Sequence, residues 1–266
     1  MNPDKKDIIA IALICLAVFC VYLNSLPNNF VFDDRHMIVD NAYLKSPKHF
    51  PGFFRGEITS EPIAKGMYRP LLMLSLAFNY LTSGLKPYGY HILNILLHFL
   101  NACFLYFFLK IFLRNLNFNL RLLTTLIFCL HPVNTEAVSY ISSRSDLLSS
   151  FFVIASLGAY ILYRDYSKKQ SYPLSLFLYA CALLSKETGI VAFGLIAAYE
   201  FVFSEKIIKN HKSILARVLP YVLISIAYFI LRKYLFGVIA ANPRVVLSNR
   251  SLSANIFTQS AVSLYY

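Results

Sequence analysis

The chain has 266 residues, of which 58% are hydrophobic and only 14% charged, and its mean hydropathy is +0.57. Apolar runs recur along its whole length, which excludes a soluble domain of ordinary size and describes an all-α, polytopic helical membrane protein. A net charge of +12 would suggest nucleic acid in a soluble protein, but the positive residues gather in short segments between apolar runs, where they set orientation, so no nucleic-acid partner is expected.

In chain order, the first apolar run, 8–23, follows a charged start but lacks a small-residue cleavage pattern, and it reads as a retained first span. With Lys5 and Lys6 held on the cytoplasmic side, the following segment, 27–87, emerges outside. It is too long for a turn. Within it Tyr68-Arg69-Pro70 opens a run in which Leu71, Leu74, Phe78 and Leu81 recur at helical spacing, which predicts an amphipathic helix at the outer membrane face, stopped by Gly84 and Pro87. Further spans are predicted at 90–113, 120–130, 147–163, 172–184, 189–203 and 215–236, the short ones extending into flanking polar residues. An eighth begins near Ile256, so residues 1–266 read as one transmembrane domain, incomplete at its C-terminus. The basic groups Lys110/Arg114/Arg121, Arg164/Lys168/Lys169 and Lys206/Lys209/Lys212/Arg217 then all fall on the cytoplasmic side.

This topology sends four polar groups to the non-cytoplasmic face: Asp33-Asp34; His131 with Glu136, leading through Tyr140 to 142–146; Ser185-Lys186-Glu187-Thr188; and Tyr68-Arg69-Pro70. Acids and bases converging on one membrane surface suit transfer of a sugar from a lipid phosphate. A carboxylate takes the proton of an acceptor, and Arg69, Arg144 or Lys186 offsets charge on the leaving phosphate, a task for which the planar fork of Arg is well shaped. The competing reading of Lys186-Glu187 and Arg144-Asp146 is that they cap helices and pair with one another; for Asp33-Asp34 it is weaker, because adjacent acids repel. The stripe His91, Asn94, His98, Asn101 occupies one face of the second span, where interhelical hydrogen bonding is favoured over substrate contact. Glu200, near a span end, reads as a snorkelling or locally bonded acid. The five cysteines, all in apolar stretches without metal spacing, read as packing residues. Two adjacent Asp residues are a weak divalent-metal signal, and neither a metal ligand set nor a cofactor is predicted.

Phe30-Val31-Phe32-Asp33-Asp34, Tyr68-Arg69-Pro70-Leu71, Gly89-Tyr90-His91, Leu130-His131-Pro132-Val133, Thr135-Glu136-Ala137-Val138, Arg144-Ser145-Asp146-Leu147-Leu148 and Ser185-Lys186-Glu187-Thr188 resemble, in this order, the membrane part of the transmembrane and tetratricopeptide repeat-containing O-mannosyltransferases and their prokaryotic relatives. The resemblance implies a C-type glycosyltransferase: a polytopic enzyme using a polyprenyl-phosphate sugar, with an acidic motif in its first non-cytoplasmic loop. By that resemblance Asp33 and Asp34 are catalytic, one of them the base, and His131, Glu136, Arg144, Lys186 and Glu187 fall on motif positions, with Arg69 beside them as a further substrate-binding residue. The tetratricopeptide repeats have no counterpart here. The expected partners are the lipid bilayer, a polyprenyl-phosphate sugar donor and an acceptor protein or glycan. The expected site is the plasma membrane of a prokaryote or the ER membrane of a eukaryote. A transporter, a lipid flippase or an inactive scaffold are the rival readings; a transporter would show related halves, which the chain lacks.

Overall fold

The computed structural model describes residues 4–57, 67–203 and 207–236. Ten α-helices follow one another: α1 (Lys5–Tyr22), α2 (Phe50–Phe53), α3 (Pro70–Ser83), α4 (Pro87–Phe112), α5 (Phe118–Leu130), α6 (Asn134–Ser139), α7 (Arg144–Tyr166), α8 (Ser171–Ser185), α9 (Val191–Phe203) and α10 (Ile207–Phe236). The described residues contain no strand, as the sequence predicts. Local chemistry fixes the boundaries. Asp4 and Asp7 form a reciprocal capping box on α1, proline opens α3 and α4 where its missing N–H costs nothing, and Asn117 caps α5 by accepting from the Leu120 N–H at 2.9 Å.

Among the described residues, four stretches, Lys5–Ser25, Pro87–Phe112, Ile141–Tyr166 and Lys212–Phe236, are long and apolar enough to cross a membrane. Helices α5, α8 and α9, with 13, 15 and 13 residues, reach only about 20 Å at ~1.5 Å per residue, short of a ~30 Å hydrocarbon core. Helix α7 extends its predicted 147–163 into flanking polar residues at both ends, as expected of a short span, whereas α5 and α8 end at Leu130 and Ser185, beside their predicted ends, where the backbone turns. Pro132 interrupts α5 ahead of α6, and the turn Glu187–Ile190 packs so closely on α8 that a Cβ on Gly189 would meet the Ala182 carbonyl carbon at 2.5 Å. That turn does lengthen α9 at its front. The predicted eighth span near Ile256 lies outside the described residues, as does Lys206.

Three apolar clusters hold the helices. One joins α1, α4 and α5, a second packs residues 37–53 on α3 and the front of α4, and a third, rich in tyrosine, joins α7 to α10. Between α7 and α8, Ser156 and Ser175 exchange hydrogen bonds of 2.9 and 2.7 Å with each other's backbone carbonyls, a close approach that only small residues allow. Helix α3 forms where predicted but is apolar on two sides. Leu72, Met73, Leu76 and Ala77 are buried in the protein, while in the predicted stripe Phe78 and Leu81 are exposed, Leu71 is half-buried and Leu74 packs against the second cluster.

The polar residues sort to the two ends of the bundle. At the end opposite the sequence motifs, Asp7 pairs with Lys110 at 2.5 Å, and Glu200 accepts from Tyr160 (2.5 Å), Arg164 (3.2 Å) and Arg217 (2.6 Å). Glu200 is therefore a locally bonded acid, in agreement with the sequence reading. Cys103, Cys129 and Cys181 are buried thiols.

Candidate functional site

Residues 28–34 leave α1 and turn back onto α4 and α6. Phe32 adopts φ +46°, a left-handed conformation unusual for a bulky side chain, and its ring meets Tyr140 edge-on at 6.3 Å. The turn separates the two acids. Asp34 is 1% exposed; its Oδ1 accepts from the Ser142 N–H (2.8 Å) and hydroxyl (2.5 Å), and its Oδ2 accepts from the Val31 N–H (3.1 Å). Asp33 stays exposed and is tethered only through its backbone, whose N–H donates to the Tyr140 hydroxyl oxygen at 3.0 Å. Burial, with the charges of Asp33 and Asp34, pushes the Tyr140 hydroxyl up to about 12, so it remains a neutral acceptor for that N–H.

Arg144 is fully buried at the front of α7. Its guanidinium donates to Asn94 Oδ1 (2.7 Å), the Ser75 carbonyl (3.1 Å) and the Tyr90 carbonyl (3.0 Å), and it lies within electrostatic range of Asp34. Asn94 passes the connection on, its amide donating to the Val138 and Tyr140 carbonyls at 3.2 and 3.3 Å. The other members of the α4 stripe also bond neighbouring backbone, His91 to Asn28, His98 to Cys129 and Asn101 to Leu147. This is the interhelical role that its spacing suggested.

The remaining charges pair across elements rather than within their own turns. Arg69 grips Glu187 with two nitrogens, at 3.3 and 3.1 Å, and reaches Ser145 at 3.3 Å; Arg232 of α10 approaches Glu187 at 4.0 Å. Burial alone would raise the Glu187 carboxyl, but the Arg69 hydrogen bonds and charge, with Arg232, outweigh it and hold the group below its ordinary value. Lys186 bonds both oxygens of Asp146, at 2.6 and 2.7 Å. The pairs expected as the bland reading, Lys186 with Glu187 and Arg144 with Asp146, are thus exchanged for Lys186–Asp146 and Arg69–Glu187.

His131 and Glu136 are both exposed. His131 ends α5, its Nδ1 accepting from the Val133 N–H at 3.1 Å. Glu136 joins Lys186 and Asp146 in lining a cavity of about 380 Å³ between α4, α6 and α7, whereas Asp33, Asp34, Arg69, His131, Arg144 and Glu187 lie outside that lining. The structure therefore pairs Arg69 with Glu187 and Lys186 with Asp146, sets Glu136 and Lys186 in one cavity lining, and leaves Asp34 within electrostatic range of Arg144. Sequence reasoning missed the tethering by Tyr140 and Ser142 and the contact of Arg232 with Glu187. The adjacent cations Arg232 and Lys233 inside the apolar run 215–236 were the available signal for the last of these.

Fold and site together define a polytopic helical membrane protein with an exposed carboxylate on a braced turn, next to paired charges and a polar cavity at one end of the bundle. The chain is related by sequence to the membrane part of the transmembrane and tetratricopeptide repeat-containing O-mannosyltransferases, the family that its motifs resemble. It is 35% identical to human protein O-mannosyl-transferase TMTC3 over 212 residues, which is 75% of this chain and 22% of that protein. It is 34% identical to Drosophila melanogaster protein O-mannosyl-transferase Tmtc1 over 196 residues (71% of this chain, 22% of that protein). To human protein O-mannosyl-transferase TMTC4 it is 32% identical over 214 residues (72% and 28%). The matches thus span about a fifth to a quarter of the length of these relatives. No family model and no solved structure matches the chain.

Proposed function

We propose that residues 1–266 are the membrane part of a glycosyltransferase that moves mannose from a polyprenyl-phosphate donor to a hydroxyl of an acceptor protein at the non-cytoplasmic face. The observation that carries the reading is the division of labour in the acid pair. Asp34 spends its carboxylate on Ser142 and Val31, whereas the Asp33 carboxylate is open to solvent on a turn held by Tyr140. Asp33 is then the base that accepts the acceptor's proton, and Asp34 holds it in position. Arg69, partly exposed and paired with Glu187, is the cation that can turn toward a leaving phosphate. Arg144, wholly engaged with Asn94, Ser75 and Tyr90, acts through the positions of α4 and α7. The names of the relatives, all protein O-mannosyl-transferases, support the sugar and the acceptor class.

The test is an in vitro transfer assay on the purified chain with a panel of labelled polyprenyl-phosphate sugars and acceptor peptides. Labelled mannosyl peptide from the mannose donor is the expected product. Absence of transfer from every donor, with folded protein present, would overturn the reading.

A further inference from the structure

The cavity between α4, α6 and α7 is of the size of a small-molecule site but not of the usual character. Its volume of about 380 Å³ falls in the ~300–1,000 Å³ range of such sites, yet they are mostly apolar, and this one is lined chiefly by polar side chains.

The charges of the lining narrow what the cavity can hold. Glu136 and Asp146 set two carboxylates against the one ammonium in the lining, that of Lys186, which Asp146 already binds through both oxygens. An anion entering here would meet an excess of negative charge. A neutral group with several hydroxyls would instead find acceptors in Asp146 and Glu136, and donors in Ser143, Ser150 and Lys186. We infer that this cavity is a subsite for a neutral hexose ring, with the phosphate of a lipid-linked donor remaining outside it. The choice of a hexose among polyhydroxylated ligands rests on the glycosyl-transfer reading. The cavity also adjoins the acid pair through one turn, since Tyr140 holds Asp33 and Ser143, three residues on, lines the cavity.

Saturation-transfer NMR on the full chain in nanodiscs tests the inference, with methyl α-D-mannopyranoside as the probe and inorganic phosphate as the competitor. The hexoside ring protons should receive magnetisation that phosphate does not displace. Ser150→Phe, which fills the cavity from an exposed position, should weaken hexoside binding about tenfold or more. Ser150→Leu serves the same purpose if the larger side chain lowers the folded yield. No hexoside signal, displacement by phosphate, or undiminished binding in both variants would overturn the subsite. Binding is read without turnover, so the two readings fail separately. A chain that binds the hexoside but transfers no sugar loses the transferase assignment and keeps the subsite, whereas transfer with unchanged hexoside binding in the Ser150 variants removes the subsite alone.

Discussion

Asp34 and Ser142, 108 positions apart in the chain, are joined by two hydrogen bonds to a single carboxylate oxygen, one from the Ser142 N–H at 2.8 Å and one from its hydroxyl at 2.5 Å. The link closes the loop after α1 onto the turn ahead of α7, so the position of Asp33 depends on a residue that never touches its side chain. Ser142→Ala removes the hydroxyl bond to a buried charged group, a loss of about 1.5–3 kcal/mol. Thermal unfolding in detergent should show the drop, and transfer should fall with it; an unchanged melting temperature would mean that the link carries no load.

Asp33→Asn and Asp34→Asn should part company. Loss of the base at Asp33 should lower transfer roughly a hundredfold or more at unchanged melting temperature. The Asp34 variant should lose stability as well, because its carboxylate serves the Ser142 and Val31 N–H groups. Rates normalised to folded protein decide it, and full activity in Asp33→Asn would exclude Asp33 as the base.

Arg144→Lys keeps the charge but cannot reach Asn94, Ser75 and Tyr90 in three directions at once, so stability should fall by about 2 kcal/mol or more. Were Arg144 a phosphate ligand instead, the same variant would keep its melting temperature and lose donor affinity.

Glu187 has its carboxyl held below the ordinary value of 4.5 by Arg69 and Arg232 against the effect of burial. The folded group is thus the stronger acid, so its contribution to stability is complete above about pH 4.5 and is lost as the pH falls through the folded value. Subtracting the melting curve of Glu187→Gln from that of the wild type should leave a difference that is constant at neutral pH and shrinks on acidification below that point. A difference that grows on acidification would contradict the pairing.

Orientation is checked at Lys48, exposed in the loop between α1 and α3. A cysteine introduced there should react with an impermeant maleimide from the non-cytoplasmic side of sealed vesicles. Reaction only after the cytoplasmic face is opened would reverse the topology and move the acid pair to the other face.

The helical bundle was legible because hydrophobic length and charge placement are one-dimensional properties, and the stripe on α4 was legible because four polar residues at helical spacing have to face a neighbour. The acid pair stood out for the same kind of reason, two like charges side by side outside a span. What the sequence hid was how the charges are used. Nothing local distinguishes Asp33 from Asp34, whose difference is made by Ser142, or shows that Arg144 is consumed by Asn94, 50 positions earlier. The breaks after α5 and α8 were legible, since the chain turns polar at 131–136 and 185–188, but the close packing of Gly189 on Ala182 was not.

Helix α7 is pinned along its whole length: at its front by Arg144 to α3 and α4, at its middle by the Ser156–Ser175 exchange with α8, and near its end by Arg164 to Glu200 of α9. A member fastened at three levels to different neighbours serves as the fixed datum of the assembly. The loop carrying Asp33 is hydrogen-bonded to the segment just ahead of that datum through the Tyr140 hydroxyl and through the N–H and hydroxyl of Ser142. Under the glycosyl-transfer reading, these three hydrogen bonds set the place at which an acceptor meets the acid.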